Sequence, residues 1–308
     1  MDALLEKIEK SRKITESTLL LYRSNLNLAF KHFQKGKEDF NTEFLSDHEG
    51  IKKFLESKKP NTKRTYYSSF SAAANALEKK DDAKFFKEQI GILKTEIDKT
   101  QSNGEKTESQ EKNWMPWKKL KSVFNSLERD VKEDATALNI KKYLISGLYV
   151  ADDENPPVRL DYAGMKIFSK AEFEKLNDKS KFNYLVLDGK KKFFSFNNYK
   201  TAGKRGEQII DVGLKLNKVL NKYLAFENYG DREYLIYDGH EKYPMTQQNL
   251  GIKITQVFKP TKKHVTVNLL RHIYISEKFP REVRDERLEV ADKMMHSKAM
   301  QEDLYAKK

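Results

Sequence analysis

The chain has 308 residues, 38% of them hydrophobic and 34% charged, which is long enough for two domains with separate cores and too apolar for wholesale disorder. It contains no cysteine, so disulfides, thiolate catalysis and cysteine-ligated zinc are excluded. Its net charge of +13 favours a polyanionic partner, because neutralising phosphates releases their condensed counterions.

The N-terminal segment MDALLEKIEKSRK is charged and amphipathic, without the apolar centre of a signal peptide. No run reaches the ~20 apolar residues that span a bilayer, so the chain reads as soluble and intracellular, without a membrane partner. Residues 1–97 then read as helices throughout. Leu19, Tyr22, Leu26, Ala29, Phe30 and Phe33 recur at helical spacing behind Ser17, a candidate cap. Ser46 and Glu49 form a capping-box pattern ahead of Ile51, Phe54 and Leu55. Asn61 is placed to cap a helix striped by Tyr66, Phe70, Ala73, Ala74 and Leu77; Phe86, Ile90, Leu93 and Ile97 make the last stripe. Short amphipathic helices with small connections predict an all-α bundle.

Residues 98–113, DKTQSNGEKTESQEKN, carry no aliphatic or aromatic side chain, and nothing in them can anchor to a core. They are expected to be a linker. From Trp114 to residue 308 the pattern is mixed. Helical periodicity at 117–129 and 134–149 ends at the break Asn155-Pro156-Pro157. Strand-like runs at 182–188, 192–200 and 207–213, with turns at Asp188-Gly189 and around Gly203 and Gly206, predict a small antiparallel sheet. Helical periodicity resumes at 214–226, 246–258, 266–279 and 284–295, so this region is α+β.

Within TVNLLRHIYIS (266–276) almost every side chain around Arg271 is apolar, so the helix should be buried. A buried guanidinium needs an anion. An internal carboxylate would serve, and so would a phosphate held in a cleft by the planar fork. Further on, His296 and Tyr305 stand nine residues apart. At about 100° per residue they would face opposite sides of one helix, so the chain must turn between them, and Ser297 is a suitable cap for a second short helix.

The order of these pieces says more than any one of them. Arg159 in PPVRLDY is followed by Lys200 in NNYKTAGKRGEQIIDV, then NLLRH, then MMH and finally Tyr305. This succession resembles the tyrosine recombinase or phage integrase family from about Trp114 to Tyr305. The resemblance implies two domains: a helical core-binding bundle over 1–97 and, after the linker, a mixed α+β catalytic domain over 114–308. STLLLYRSNLNLAF and NTKRTYYSSFSAAANAL resemble the DNA-facing helices of the first domain, which makes Arg23, Lys63 and Arg64 candidate DNA contacts. Each of these also fits a solvated helix face. PPVRLDY departs from the commoner G-x-R-x-x-E pattern and is similar to recombinases of large eukaryotic DNA viruses, virophages and polinton-like elements.

What the family implies chemically is a metal- and ATP-independent cut in double-stranded DNA, with no cofactor. Arg159 and Arg271 would stabilise the charge on the scissile phosphate, and His296 would add a hydrogen bond. Tyr305 would attack to give a 3′-phosphotyrosine, and Lys200 would protonate the departing 5′ oxygen. Lys204 is a rival for that acid role; with Arg205 it is also a candidate DNA contact. Asn268 stands where the family usually has His or Lys; it can donate a hydrogen bond but cannot exchange a proton near pH 7. A homotetramer on two duplexes is expected, and because only three residues follow Tyr305, protomer contacts are expected elsewhere. A type IB topoisomerase shares this chemistry, and a catalytically silent DNA-binding protein shares the scaffold.

Overall fold

The computed structural model describes residues 1–34, 39–102, 105–227, 232–239, 243–279, 290–291 and 293–295. Chain contacts divide it into two compact units, Met1–Asn103 and Gly104–Lys308.

The first unit holds α1 (Asp2–Ser11), α2 (Glu16–Phe33), α3 (His48–Leu55), α4 (Pro60–Ala76) and α5 (Lys80–Ser102). Its core gathers Leu5, Ile8, Leu26, Ile51, Phe70 and Phe86, all fully or nearly buried. The predicted stripes therefore face inward, but the caps differ from expectation. Thr15, not Ser17, caps α2 by accepting from Thr18 N–H at 3.3 Å. Asp47 caps α3 by accepting from Gly50 N–H at 2.9 Å, while Ser46 donates to Asp82 Oδ2 at 2.8 Å. Pro60 is the first residue of α4 and Asn61 lies inside the helix, since proline's missing N–H is harmless in a first turn. A buried hydrogen bond from Asn25 Nδ2 to Ser69 Oγ, 2.9 Å, ties α2 to α4.

The stretch expected as a linker is largely helical. α5 runs on through Ser102, and residues 108–113 form α6 (Glu108–Asn113) behind a capping box of Thr107 and Gln110. A helix needs no apolar face to persist for a turn when it is already nucleated or well capped.

The second unit continues with α7 (Trp117–Glu133), α8 (Ala137–Val150), β1 (Lys166–Ser169), α9 (Lys170–Glu174), β2 (Tyr184–Asp188), β3 (Lys191–Phe196), α10 (Ala202–Arg205), β4 (Gln208–Asp211) and α11 (Leu214–Glu227). β5 (Tyr237–Asp238), β6 (Tyr243–Pro244), α12 (Gln247–Val257) and α13 (Val267–Lys278) complete it. Every residue of α8 from Tyr143 to Val150 is buried, as expected of a helix apolar all round. It approaches α11 so closely that a Cβ on Gly147 would sit 2.9 Å from Val219. α13 is docked on α7: Trp117 N–H, without a local cap, donates to Glu277 Oε1 at 2.8 Å, and the Trp117 ring meets Tyr274 edge-on.

The main sheet has the order β1-β2-β3-β4 and is mixed, which corrects the antiparallel expectation. β1 runs parallel to β2, and the connection through 170–183 has the dozen or so residues a parallel crossover needs. The four residues of β1 are too few and too half-exposed to show a period in the sequence. β2 and β3 turn through Gly189, whose φ of +58° suits the first of two turn residues. β3 stops at Phe196 rather than running to Lys200, because Asn183 Oδ1 accepts from the N–H groups of Asn197 and Asn198 at 2.9 and 2.8 Å. Most of the helix expected over 284–295 lies outside the described residues; Val290, Ala291 and Lys293 are helical, and Met294 and Met295 form a turn.

Candidate active site

The Pro-Pro break after α8 carries Arg159 to the site on a clamped backbone. Asn155 donates to Asp211 O at 2.7 Å and accepts from Gly213 N–H at 2.6 Å, which fixes the break to β4. Tyr149 Oη donates to Arg159 O at 3.0 Å, and Asn183 Nδ2 donates to Asp161 O at 2.8 Å. The half-buried Arg159 side chain then reaches Met295, its Nη1 donating to that carbonyl at 3.4 Å.

Arg271 arrives from α13. It is fully buried, and its Nη2 donates to Met294 O at 3.3 Å. Two guanidiniums from distant parts of the chain thus meet consecutive carbonyls. Thr201, next to Lys200, joins them: its Oγ1 donates to Met295 O at 3.2 Å. Met295 itself has φ +55°, a left-handed backbone that costs a side-chain-bearing residue roughly 1–2 kcal/mol. His296 follows directly in the sequence; it and Tyr305 lie outside the described residues.

Within electrostatic reach of both arginines is a residue that the sequence reading missed. Asp161 is 3% exposed, and its Oδ2 has no hydrogen-bond partner among the described residues. Burial pushes its carboxyl up to about 6, against the pull of Arg159 and Arg271. Its signal in the sequence was its place two residues after Arg159, between apolar Leu160 and Tyr162.

Lys200 is exposed, in the loop from β3 to β4. Its neighbours hold that loop, Thr201 through Met295 and buried Tyr199 by donating from Oη to Gly206 O at 2.7 Å. Lys204 is exposed and Arg205 half-buried on α10, so all three cations share one connection. Asn268 stands one helical turn before Arg271 on α13. It is exposed in the first turn of α13 and lines a shallow cavity of about 150 Å³ with Gln110, Asn113, His264 and His272.

In the first unit, Arg23 pairs with Asp2, both largely exposed. Lys63 lines an open hollow of about 610 Å³ with Lys52 and Lys53, but also with Glu49 and Glu56. Arg64 is half-buried on α4, its carbonyl accepting from Ser68 Oγ at 2.8 Å. Among the described residues no group of three or more His, Asp or Glu is placed to hold a metal ion, and no helix is long and apolar enough to cross a membrane.

No protein-family model matches the sequence, and no curated protein does. Among solved structures, the chain is similar to the crystal structure of XerA recombinase, with 15% identity, coverage of 97% of this chain and 91% of that one, and a TM-score of 0.41.

Proposed function

We propose that this chain cleaves and rejoins double-stranded DNA as a tyrosine recombinase, through a 3′-phosphotyrosine intermediate. The observation that carries the reading is the meeting of Arg159 and Arg271 at the Met294 and Met295 carbonyls, one residue before His296. Both hydrogen bonds, at 3.3–3.4 Å, are long and weak. A phosphate oxygen forms shorter, charge-assisted bonds with guanidinium and would displace the carbonyls.

In this reading Arg159 and Arg271 bind the nonbridging oxygens and stabilise the charge of the pentacoordinate transition state, with His296 adding a donor. Tyr305 Oη forms a bond to phosphorus and loses its proton as the bond from phosphorus to the 5′ oxygen breaks. Lys200 gives that oxygen a proton, leaving a free 5′ hydroxyl. Rejoining reverses the step, so the phosphotyrosine conserves the bond energy. The exposed position of Lys200 lets its ammonium reach the leaving group. The unit Met1–Asn103 would clamp the duplex through Lys63, Arg64 and Arg23.

A nicked duplex that loses a short 5′-hydroxyl fragment on cleavage tests this directly, with the ends of the element that encodes the chain as sequence. A covalent protein–DNA band is expected, absent in Tyr305→Phe. A substrate that is bound yet yields no adduct would overturn the reading.

A further inference from the structure

Outside this chemistry, the connection from α12 to α13 presents a second basic surface. Its sequence, Lys259-Pro260-Thr261-Lys262-Lys263-His264, forms one tight turn over Lys259–Thr261. Lys262 then adopts left-handed backbone with φ +60°, unfavourable for a residue with a Cβ. Short-range bonds hold it there. Lys262 N–H donates to Lys259 O at 2.9 Å, and Thr261 Oγ1 donates to Phe258 O at 2.6 Å and accepts from Lys263 N–H at 3.3 Å. Contacts with α6 fix the far end: His264 N–H donates to Asn113 Oδ1 at 2.8 Å, and Lys263 Nζ donates to Lys112 O.

The result is an open hollow of about 470 Å³ lined by Thr255, Gln256, Lys259, Lys262, Lys263 and His264, without a carboxylate. Lys259 and Lys262 are exposed, and none of the three lysines is ion-paired among the described residues. By contrast, Lys170 pairs with Asp188, and both Lys121 and Lys278 pair with Asp153. Fixing like charges side by side is unfavourable unless an anion lies across them. The hollow is shallow and exposed, which suits a chain of regularly spaced phosphates better than one enclosed small anion.

We propose that the 259–264 loop is a sequence-independent contact to the phosphate backbone of duplex DNA, a role that rests on the DNA-cleaving function proposed above. The test uses the full chain with Lys259→Gln and Lys262→Asn together. Asparagine tolerates left-handed backbone, so the loop should keep its shape. Affinity for a fluorescent duplex of arbitrary sequence is measured between about 50 and 200 mM salt. Each lost phosphate contact should flatten the slope of log affinity against log salt by about 0.9, so the double variant should lose about two from the slope. Lys190→Gln with Lys191→Gln removes the same charge from the turn between β2 and β3 and should leave the slope near that of the wild type.

An unchanged slope in the 259/262 variant overturns the proposal, as does an equal loss in the 190/191 control, which would mark a mere net-charge effect. A loss seen with duplex RNA but not with duplex DNA also overturns it. If the wild-type chain binds no duplex DNA at any salt, the proposed function falls with it. Binding with an unchanged slope removes this surface alone.

Discussion

The arginines and Lys200 are cations assigned to one phosphodiester, yet the fold treats them in opposite ways. Arg271 is fully buried beside Asp161, on a helix pinned to α7 through Glu277 and Tyr274. Lys200 stands exposed on a loop whose flanking residues, not the lysine itself, make the anchoring bonds. A guanidinium stays charged in almost any setting, so it can be buried and preorganised. An ammonium that must give up a proton near neutral pH is better kept where solvent and the leaving group can reach it.

The strongest way to break this contrast is Arg271→Ala. It empties a fully buried site and deletes the bond to Met294 O, and should lower stability by about 2–5 kcal/mol in urea unfolding, with adduct formation lost. Arg271→Lys should not restore cleavage, because the ammonium lacks the fork. If the alanine variant unfolds at the same urea concentration as the wild type, the burial of Arg271 does not contribute to stability.

Lys200→Ala should behave in the opposite manner. Cleavage should slow by about 10²–10⁴-fold with unfolding unchanged. A substrate whose 5′ bridging oxygen is replaced by sulfur, a leaving group that needs no acid, should recover most of the rate. Recovery in Lys204→Ala instead would move the acid role to Lys204.

Asp161 sharpens the comparison through pH. Because burial raises its carboxyl to about 6, the folded chain holds that proton more tightly than the unfolded chain does. The resulting stabilisation is complete below about pH 4 and disappears as pH rises through about 6. A shift of about two units corresponds to about 3 kcal/mol. Asp161→Asn should remove that dependence, so wild type and variant should diverge between pH 4 and pH 8 in thermal melts. Parallel curves would mean that Asp161 stays ionised throughout.

The smallest effect is expected at Thr201. Thr201→Val deletes one part-buried hydrogen bond and should cost about 1 kcal/mol, with cleavage slowed severalfold and restored by Thr201→Ser. A slow valine variant that serine does not rescue would point to shape rather than to the bond with Met295.

Much of this frame was legible from local pattern. The stripes of α2 and α4, the buried character of α13 and the turn at Gly189 follow from near neighbours in the chain. Signals a residue or two long were less reliable. Ser17 has the chemistry of a cap, but α2 begins at Glu16 and Thr15 takes that place by accepting from Thr18 N–H. The polar run 98–113 looked structureless because helix continuation and capping leave little trace in hydrophobicity. β1 was missed because a four-residue strand is stabilised by its partner β2, not by its own sequence.

By itself, then, the sequence determined the order Arg159, Lys200, Arg271, His296 and Tyr305, and the burial of the helix that carries Arg271. Only the tertiary structure decided that Arg159 meets Met295, 136 positions along the chain, and that buried Asp161 comes within electrostatic reach of both guanidiniums. The physical reason is range. Periodicity records which face of an element is buried, whereas a carbonyl from a remote turn becomes a partner only once packing has closed the chain around it.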